Sequence, residues 1–274
     1  MHFGLLGFAC DEGVRRNHGR VGAELGPKAF REALKKINWH TREKPPFTDF
    51  GDVICHGGDL ESAQKELSDK VLALLQNQQK SMVIGGGHET AYGHFCGLSN
   101  FLGKQNIGII NFDAHFDLRP LLENNLGTSG TPFLQISRER EAQNLSFDYL
   151  VLGIQPFSNS DSLFKTAQDL KVSYVLAENL EQEAPAQIKA MLERHEFIYL
   201  SISLDVFAES AAPGVSAPQA LGLLPTQILP LLKQIKHSKK VMGLDIVELA
   251  PAYDRQDTTA QLAASLAAYW LHAR

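Results

Sequence analysis

The stretch IGIINFDAHFD, residues 107–117, runs from an almost entirely apolar segment into a cluster of acidic and histidine side chains. An apolar run without alternation is typical of a strand buried on both faces, as in a parallel sheet covered by helices. Similar runs recur along the chain, and each is short enough to form a strand. We predict eight strands, at residues 2–8, 49–54, 81–86, 107–113, 149–154, 172–176, 197–205 and 240–248.

Amphipathic segments separate many of these strands and predict helices. Pro27 stands near the first turn of one helix, Asp257 is expected to be the N-cap of another, and Pro230 is expected to kink or shorten a third. Strands that alternate with helices indicate a parallel sheet with right-handed crossovers. We therefore expect one three-layer α/β domain over residues 1–274. The predicted helices are 26–37, 61–79, 185–195, 226–237 and 258–274.

The composition is that of a globular protein, with 44% apolar and 21% charged residues in 274. A net charge of −5 and the lack of a basic stripe argue against nucleic-acid binding. No apolar run approaches the length of a membrane helix. The cysteines, Cys10, Cys55 and Cys96, are widely spaced and odd in number. They indicate reduced thiols in a cytoplasmic protein rather than a disulfide framework.

Polar residues follow several of the predicted strands. In an open parallel sheet, ligands bind beyond the carboxyl ends of the strands, so these residues are candidates for a functional site. They come from four separate strands, and carboxylates and histidines predominate among them. The residues are His88, Glu89, Asp113, His115, Asp117, Arg119, Asp205, Asp245 and Glu248.

The densest cluster is Asp113-x-His115-x-Asp117. Alternation places its three side chains on one side of an extended chain. Mixed imidazole and carboxylate ligands suit Mn²⁺, Zn²⁺ or Fe²⁺, although a loop whose carboxylates cap the next helix would show the same spacing. Because His88 and Asp205 arrive from other strands, the metal interpretation is favoured. Asp113 could then bridge two ions about 3.5–4 Å apart, and such a pair activates water for attack on a planar carbon.

Three motifs together resemble the ureohydrolases, the family of arginase, agmatinase and formimidoylglutamase. They are GGGHE (85–89), NFDAHFD (111–117) and S-x-x-x-D…APGVSAP (201–218). The resemblance extends over nearly the whole chain. It implies a three-layer α/β/α sandwich around an eight-stranded parallel sheet. It also implies two Mn²⁺ ions that serve hydrolysis at a guanidino or formimino carbon.

The resemblance also implies roles for individual residues. One ion would be held by His88, Asp113 and Asp117, and the other by the bridging Asp113 with His115 and Asp205. Glu248 matches a glutamate that binds the cationic nitrogens of the substrate. Asp117 and Glu248 would stabilise charge or move a proton during catalysis.

Within the family, the details are most similar to the formimidoylglutamase branch. Ser129, in SGTPF (129–133), stands where arginases and agmatinases usually have a histidine. Arg119 offers a planar fork to a carboxylate, although it would also suit a surface ion pair with Glu123. The basic segment 15–20 is either a site for a second carboxylate or a solvated loop. The implied reaction is N-formimidoyl-L-glutamate plus water giving L-glutamate and formamide, in histidine degradation.

The sequence departs from the family at Ser203. The family motif S-x-D-x-D supplies two aspartate ligands, the first of them bridging, whereas this chain reads Ser201-Ile-Ser203-Leu-Asp205. A missing carboxylate leaves the repulsion between two dications less compensated, so we expect fewer than two well-bound ions. The chain is then a hydrolase with an impaired site, a ligand-binding or interaction protein that has lost catalysis, or the bearer of an engineered or erroneous residue.

The motifs are also compatible with a different ligand. A hydrolase of this family could act on another guanidino or amidino substrate. A nucleotide-binding module is less favoured, because the glycines of IGGGHE (84–89) lack the G-x-G-x-x-G spacing and a Walker lysine. The expected partners are a small-molecule substrate and, as in other family members, further copies of the chain.

Overall fold

A computed structural model of the chain describes residues 2–39 and 47–272. Within these residues, all eight predicted strands are present, with ends displaced by at most two residues. They are β1 (Phe3–Ala9), β2 (Phe47–Ile54), β3 (Lys80–Ile84), β4 (Ile107–Phe112), β5 (Asp148–Ile154), β6 (Ser173–Leu176), β7 (Phe197–Ser203) and β8 (Val241–Val247).

The helices that the structure describes connect these strands, except for the last helix, which follows β8. They are α1 (Glu12–Arg16), α2 (Gly26–Leu34), α3 (Leu60–Gln76), α4 (Thr90–Leu102), α5 (Pro132–Ala142), α6 (Asp161–Asp169), α7 (Leu180–Arg194), α8 (Pro225–His237) and α9 (Thr258–Leu271). None of them is long and apolar enough to cross a membrane. All three cysteines are free thiols, as expected.

The strands form one eight-stranded sheet in the order β2-β1-β3-β8-β7-β4-β5-β6, and all neighbouring strands are parallel. Two apolar clusters cover its faces. One packs the sheet against α2, α7, α8 and α9, and the other packs it against α3 to α6. The predicted three-layer α/β/α sandwich is therefore confirmed.

The strand order brings the candidate residues together. Strands β3, β8, β7 and β4 are consecutive in the sheet, and the register pairs Ile84 with Ile246 and Phe112 with Ile202. The loops that follow these four strands therefore begin side by side. Each carries at least one predicted ligand or catalytic carboxylate, so the site is assembled by the centre of the sheet.

A tight contact places the loop after β3. A Cβ atom at Gly86 would lie 1.6 Å from the carbonyl oxygen of Cys10, and the backbone N–H of Gly87 donates to that oxygen over 3.1 Å. Only glycine allows the loop to pass so close to the end of β1. The glycines of the GGGHE motif thus allow the loop to pack against the end of β1, and this packing fixes the position of His88.

Two predictions about helices need correction. Helix α8 is not shortened at Pro230 but continues to His237, because the burial of Ile228, Leu231 and Ile235 offsets one lost backbone hydrogen bond. Asp257 precedes α9 but makes no capping hydrogen bond.

Asp254 caps α9 instead of Asp257. Its carboxylate accepts hydrogen bonds from the backbone N–H groups of Thr259 and Ala260, over 2.9 and 3.0 Å. The backbone of Asp257 is left-handed, with φ of 58°. The chain turns at this residue before it enters α9. Because of this turn, the carboxylate of Asp254, and not that of Asp257, caps the first turn of the helix.

Candidate metal centre

The first predicted ligand set is assembled in a buried position. Nδ1 of His88 lies 2.9 Å from Oδ2 of Asp113 and 2.9 Å from Oδ2 of Asp117. His88 and Asp113 are 2% and 1% exposed. The buried Nδ1 atom makes no hydrogen bond in the described part of the chain, because neither contact has hydrogen-bond geometry. A cation between these three atoms would satisfy the nitrogen and both carboxylates.

The second predicted set adjoins the first. Nδ1 of His115 lies 3.3 Å from Oδ1 of Asp113 and 3.2 Å from Oδ2 of Asp205. In each set, the potential ligand atoms lie within 4.8 Å of one another. Asp113 belongs to both sets and presents a different oxygen to each histidine. Asp113 thus offers one oxygen to each set, the arrangement in which a carboxylate could bridge two ions.

The backbone around Asp113 differs from the extended chain that alternation suggested. Strand β4 ends at Phe112, and the backbone N–H of His115 turns back to donate to Oδ1 of Asp113 over 2.7 Å. Asp117 has a left-handed backbone, with φ of 49°. A side chain that hydrogen-bonds to a backbone group two residues on stabilises a turn, and this turn gathers the three side chains.

The electrostatics of the centre favour bound cations. Burial opposes the charged form of His88, but Asp113 and Asp117 outweigh it and hold the pKa of the imidazole well above its ordinary value. Burial, together with the charge of Asp113, raises the pKa of Asp117. The carboxylates of Asp113, Asp117 and Asp205 are thus crowded at low solvent exposure, and metal cations would relieve their repulsion.

Glu248 follows β8 and lies beside the first ligand set. Its Oε1 accepts a hydrogen bond from the backbone N–H of His88 over 2.7 Å, and its backbone is left-handed, with φ of 69°. Burial, and then the charge of Asp205, raises the pKa of this carboxyl well above its ordinary value. The side chain is only 5% exposed but lines the cavity above the centre.

A cavity of about 290 Å³ opens above both ligand sets. Every predicted catalytic and substrate-binding residue lines it, whereas Asp113 lies beneath its floor. Ser129 is 7% exposed on the loop that leads into α5. Further polar residues that line the cavity were not singled out individually. Ser158 and Asn159 follow β5 in a stretch without a motif, whereas Asn17 and His18 lie within the basic segment 15–20 and Ser216 lies within APGVSAP.

Arg119 lies exposed at the cavity mouth. Its backbone N–H donates to the carbonyl oxygen of Gly130 over 2.8 Å, which joins the metal-ligand loop to the Ser129 loop. The structure does not contain the alternative ion pair with Glu123, and within the described residues the guanidinium has no carboxylate partner. Its charge is therefore available to a ligand in the cavity.

The basic segment 15–20 divides into two parts. Arg15 pairs with Glu12, and Arg16 pairs with Glu12 and Glu61. Arg20 instead donates to the backbone carbonyl oxygens of Val215 and Ser216, over 2.7 and 3.0 Å. Carbonyl oxygens leave its positive charge uncompensated, and it lines the same cavity as Arg119.

Ser203 is fully buried at the end of β7. Its hydroxyl donates to Oδ1 of Asp205 over 2.6 Å. Asp245, on β8, was among the strand-end candidates but had no predicted role, and Ser201, which precedes Ser203 on the same face of β7, had none either. Both lie behind His88, and their position on one face of adjacent strands was the available signal.

Comparisons with known proteins identify the family. The Arginase family model matches residues 1–272. A formimidoylglutamase of Legionella pneumophila (strain Lens) is 47% identical over 268 residues, which are 96% of this chain and 83% of that protein. The formimidoylglutamase of Lysinibacillus sphaericus (strain C3-41) is 41% identical over 266 residues, 95% of this chain and 81% of the relative.

Solved structures give the same result. The crystal structure of formimidoylglutamase from Bacillus subtilis subsp. subtilis str. 168 superposes with a TM-score of 0.87 at 27% identity, covering 99% of this chain and 86% of the other. The crystal structure of Trypanosoma cruzi formiminoglutamase with Mn²⁺ superposes with a TM-score of 0.88 at 26% identity. The match covers 98% of this chain and 92% of the other. The motifs, the sheet, the ligand sets and these relatives lead to one conclusion: the chain belongs to the arginase family.

Proposed function

We propose that this protein is a Mn²⁺-dependent hydrolase that converts N-formimidoyl-L-glutamate and water to L-glutamate and formamide. The observation that carries the proposal is the pair of histidine–carboxylate sets sharing Asp113, which lie beneath a cavity. Arg119 lies at the mouth of this cavity and has no carboxylate partner among the described residues. Water adds to the formimino carbon, and the bond from that carbon to the glutamate nitrogen breaks. The reaction is a step of histidine degradation, and we place it in the cytoplasm.

The residues present fit Mn²⁺. Imidazole nitrogen and carboxylate oxygen are suitable donors for this ion, and the relative from Trypanosoma cruzi was solved with it. A bound ion of this kind lowers the pKa of water and so supplies a nucleophile at neutral pH. Asp113, His88 and Asp117 would hold one ion, and Asp113, His115 and Asp205 would hold the other.

The two sets would differ in affinity. His115 is 20% exposed, compared with 2% for His88, and Ser203 engages one oxygen of Asp205. The missing carboxylate at residue 203 also leaves more repulsion between two ions. We infer that the His88 set binds its ion tightly and that the His115 set is occupied weakly, giving fewer than two ions per chain.

Glu248 and Asp117 carry the remaining chemistry. The backbone of His88 engages Oε1 of Glu248, which leaves Oε2 for the nitrogens of the formimino group. A carboxylate beside a cationic amidine stabilises it by charge-assisted hydrogen bonds. Asp117 and Glu248 are the cavity carboxylates that would pass a proton to the glutamate nitrogen as its bond to carbon breaks.

Two cations at the cavity mouth suit a substrate with two carboxylates. Arg119 and Arg20 both line the cavity and have no carboxylate partner in the described chain. Arg119 offers a bidentate contact to one substrate carboxylate, and Arg20 would attract the other. Ser129 adds a hydroxyl to the same wall. Agmatine, which lacks a carboxylate, would gain nothing from either arginine.

A comparison of three substrates tests the proposal. The Mn²⁺-supplemented protein is given N-formimidoyl-L-glutamate, arginine or agmatine, and the release of formamide or urea is measured. We expect formamide from the first compound and no urea from the other two. Urea release from arginine or agmatine as the main activity would assign the chain to another substrate.

Ser203 favours one second candidate, a member of the family that binds a ligand in this cavity without hydrolysing it. The buried hydroxyl at a metal-bridging position is the specific observation behind it. The same assay separates the two candidates. Turnover by the natural sequence eliminates the second, whereas binding without turnover, converted to turnover by Ser203→Asp, would establish it.

A further inference from the structure

The second ring nitrogen of His88 faces away from the metal centre and meets a hydroxyl group. Nε2 of His88 lies 2.9 Å from Oγ of Ser201, on β7. Oγ of Ser201 in turn donates to Oδ1 of Asp245, on β8, over 2.5 Å. Ser201 and Asp245 are directly paired in the sheet register, and both are completely buried. His88 is thus connected to a carboxylate in the interior of the fold.

Three donors hold that carboxylate in place. Besides Ser201, Nδ1 of His94 lies 2.9 Å from Oδ2 of Asp245, and the hydroxyl of Tyr199 donates to the same oxygen. The other nitrogen of His94 lies 2.8 Å from Oγ of Ser81. All of these side chains are at most 1% exposed. A buried polar network with its members satisfied is rigid and specifies one arrangement.

The glycine at residue 243 makes room for this network. A Cβ atom there would lie 2.7 Å from Nε2 of His94 and 3.0 Å from Oγ of Ser81. Strand β8 therefore carries glycine two residues before Asp245, where any larger residue would displace His94. The network is part of the fold of the three central strands β3, β8 and β7.

The direction of the hydrogen bonds determines the tautomer of His88. The Asp245 carboxylate can only accept, so the Ser201 hydroxyl donates its proton to Asp245. The oxygen of Ser201 must then accept from His88, which places the ring proton on Nε2. In the neutral form of the ring, which is the form that binds a metal, the lone pair then lies on Nδ1, the atom that faces Asp113 and Asp117.

We propose that Asp245 is a positioning residue for the metal centre and acts on His88 through Ser201. It fixes the tautomer and the ring orientation that present Nδ1 to the ion, and it raises the basicity of that nitrogen. An outer hydrogen-bond partner of this kind affects metal affinity without touching the ion. The inference rests on the metal centre of the proposed function and adds to it the residues that make His88 a competent ligand.

Titration of the metal-free protein with MnCl₂, followed by calorimetry and by the EPR signal of free Mn²⁺, tests the proposal. Ser201→Ala removes the hydroxyl and should weaken the tighter Mn²⁺ site about 10- to 100-fold. Ser201→Thr keeps the hydroxyl and should restore most of the affinity. Asp245→Asn replaces the strong acceptor by an amide and should weaken the same site, so it decides the question if Ser201→Ala does not fold.

His195→Gln is the matched control. His195 is also a buried histidine hydrogen-bonded to an aspartate, Asp148, over 2.8 Å, but near the start of β5, at the opposite end of the sheet. This variant should lose stability and retain Mn²⁺ affinity. The rise in melting temperature on adding Mn²⁺ should shrink in Ser201→Ala and remain in His195→Gln.

Three results would contradict one or the other of two claims. Folded Ser201→Ala and Asp245→Asn proteins that bind Mn²⁺ as tightly as the natural sequence would overturn the positioning role. An equal loss of affinity in His195→Gln would also overturn it, since the effect would then be one of general stability. Failure of the natural sequence to bind Mn²⁺ would instead contradict the proposed function.

Discussion

Ser203 donates a hydrogen bond to Asp205 over 2.6 Å at the carboxyl end of β7. The hydroxyl stands at the position where the related motif supplies a bridging carboxylate. It lies next to the second ligand set and engages one oxygen of a residue in that set. Together with the greater exposure of His115 and the missing carboxylate at residue 203, this contact is the reason why we infer that the two ligand sets differ in affinity for ions.

Replacing Ser203 by aspartate should strengthen the weaker half of the centre. A carboxylate at this position would add a ligand and reduce the repulsion between two dications. We expect Ser203→Asp to raise the number of tightly bound Mn²⁺ ions from about one to about two per chain, as measured by elemental analysis after gel filtration.

Ser203→Asn is the control for that experiment, because it supplies similar volume without charge. It should leave the ion count unchanged. Two tightly bound Mn²⁺ ions in the natural sequence would contradict the inferred difference between the two sets.

The shared carboxylate predicts an asymmetry between two conservative variants. Asp113 contacts both histidines, whereas Asp117 contacts only His88. Asp113→Asn should therefore weaken both Mn²⁺ sites, and Asp117→Asn only the tighter one, each by at least about tenfold. Calorimetric titration separates the two sites. Exposed Asp169, replaced by asparagine, serves as the control, and equal effects of the Asp113 and Asp117 variants would argue against a bridging role.

Arg119 should determine selectivity for a substrate with carboxylates. A hydrogen bond to a charged group contributes about 1.5–3 kcal/mol, so Arg119→Ala should raise KM for N-formimidoyl-L-glutamate about 10- to 100-fold. Arg119→Lys keeps the charge but lacks the planar guanidinium group, so its KM should lie between those of the natural sequence and Arg119→Ala. The formimidoyl derivative of a simple amine has no carboxylate and should react equally with all three proteins. An unchanged KM for the glutamate derivative would remove Arg119 from the substrate site.

The pair of Asp148 and His195 predicts a pH dependence of stability far from the metal centre. The hydrogen bond from His195 and the bond from Arg194 outweigh burial and hold the pKa of Asp148 below its ordinary value. A lowered pKa in the folded state stabilises the protein above the ordinary pKa of aspartate, and this contribution is lost as pH falls through the lowered value.

Asp148→Asn should therefore lower the free energy of unfolding at about pH 7 and cost progressively less below about pH 4. Urea unfolding at a series of pH values measures the difference. Asp169→Asn, an exposed change with no partner in the described chain, should show little effect at either pH. A cost for Asp148→Asn that is constant across this range would exclude the ion pair as its source.

The sequence was sufficient to predict the fold because its strands are apolar runs separated by amphipathic helices. Strands that are buried on both faces are continuous apolar runs and need no alternating pattern to be recognised. All eight strands could therefore be predicted. Helix boundaries were harder to place. Asp257 has the right residue type and position for a cap, but the loop conformation gives that role to Asp254. Loop geometry of this kind depends on backbone angles that composition does not reveal.

The proximity of the candidate ligands was predictable because the carboxyl ends of parallel strands lie at one edge of the sheet. The network behind His88 was not, because it depends on which strands are neighbours. Ser201 and Asp245 are 44 residues apart in sequence, and only the order β8-β7 in the sheet places them in contact. The assignment of Arg20 to the cavity had the same difficulty, since it depends on contacts with a loop almost two hundred residues away.

Formamide release by the metal-depleted protein, as Mn²⁺ is returned to it, tests the central claim most directly. The protein is stripped with a chelator, dialysed and supplied with N-formimidoyl-L-glutamate at increasing Mn²⁺ concentration. The two ligand sets around Asp113 predict no formamide without metal and activity that rises with Mn²⁺ and saturates. Formamide release that is independent of Mn²⁺, or none at any concentration of the ion, would contradict the claim.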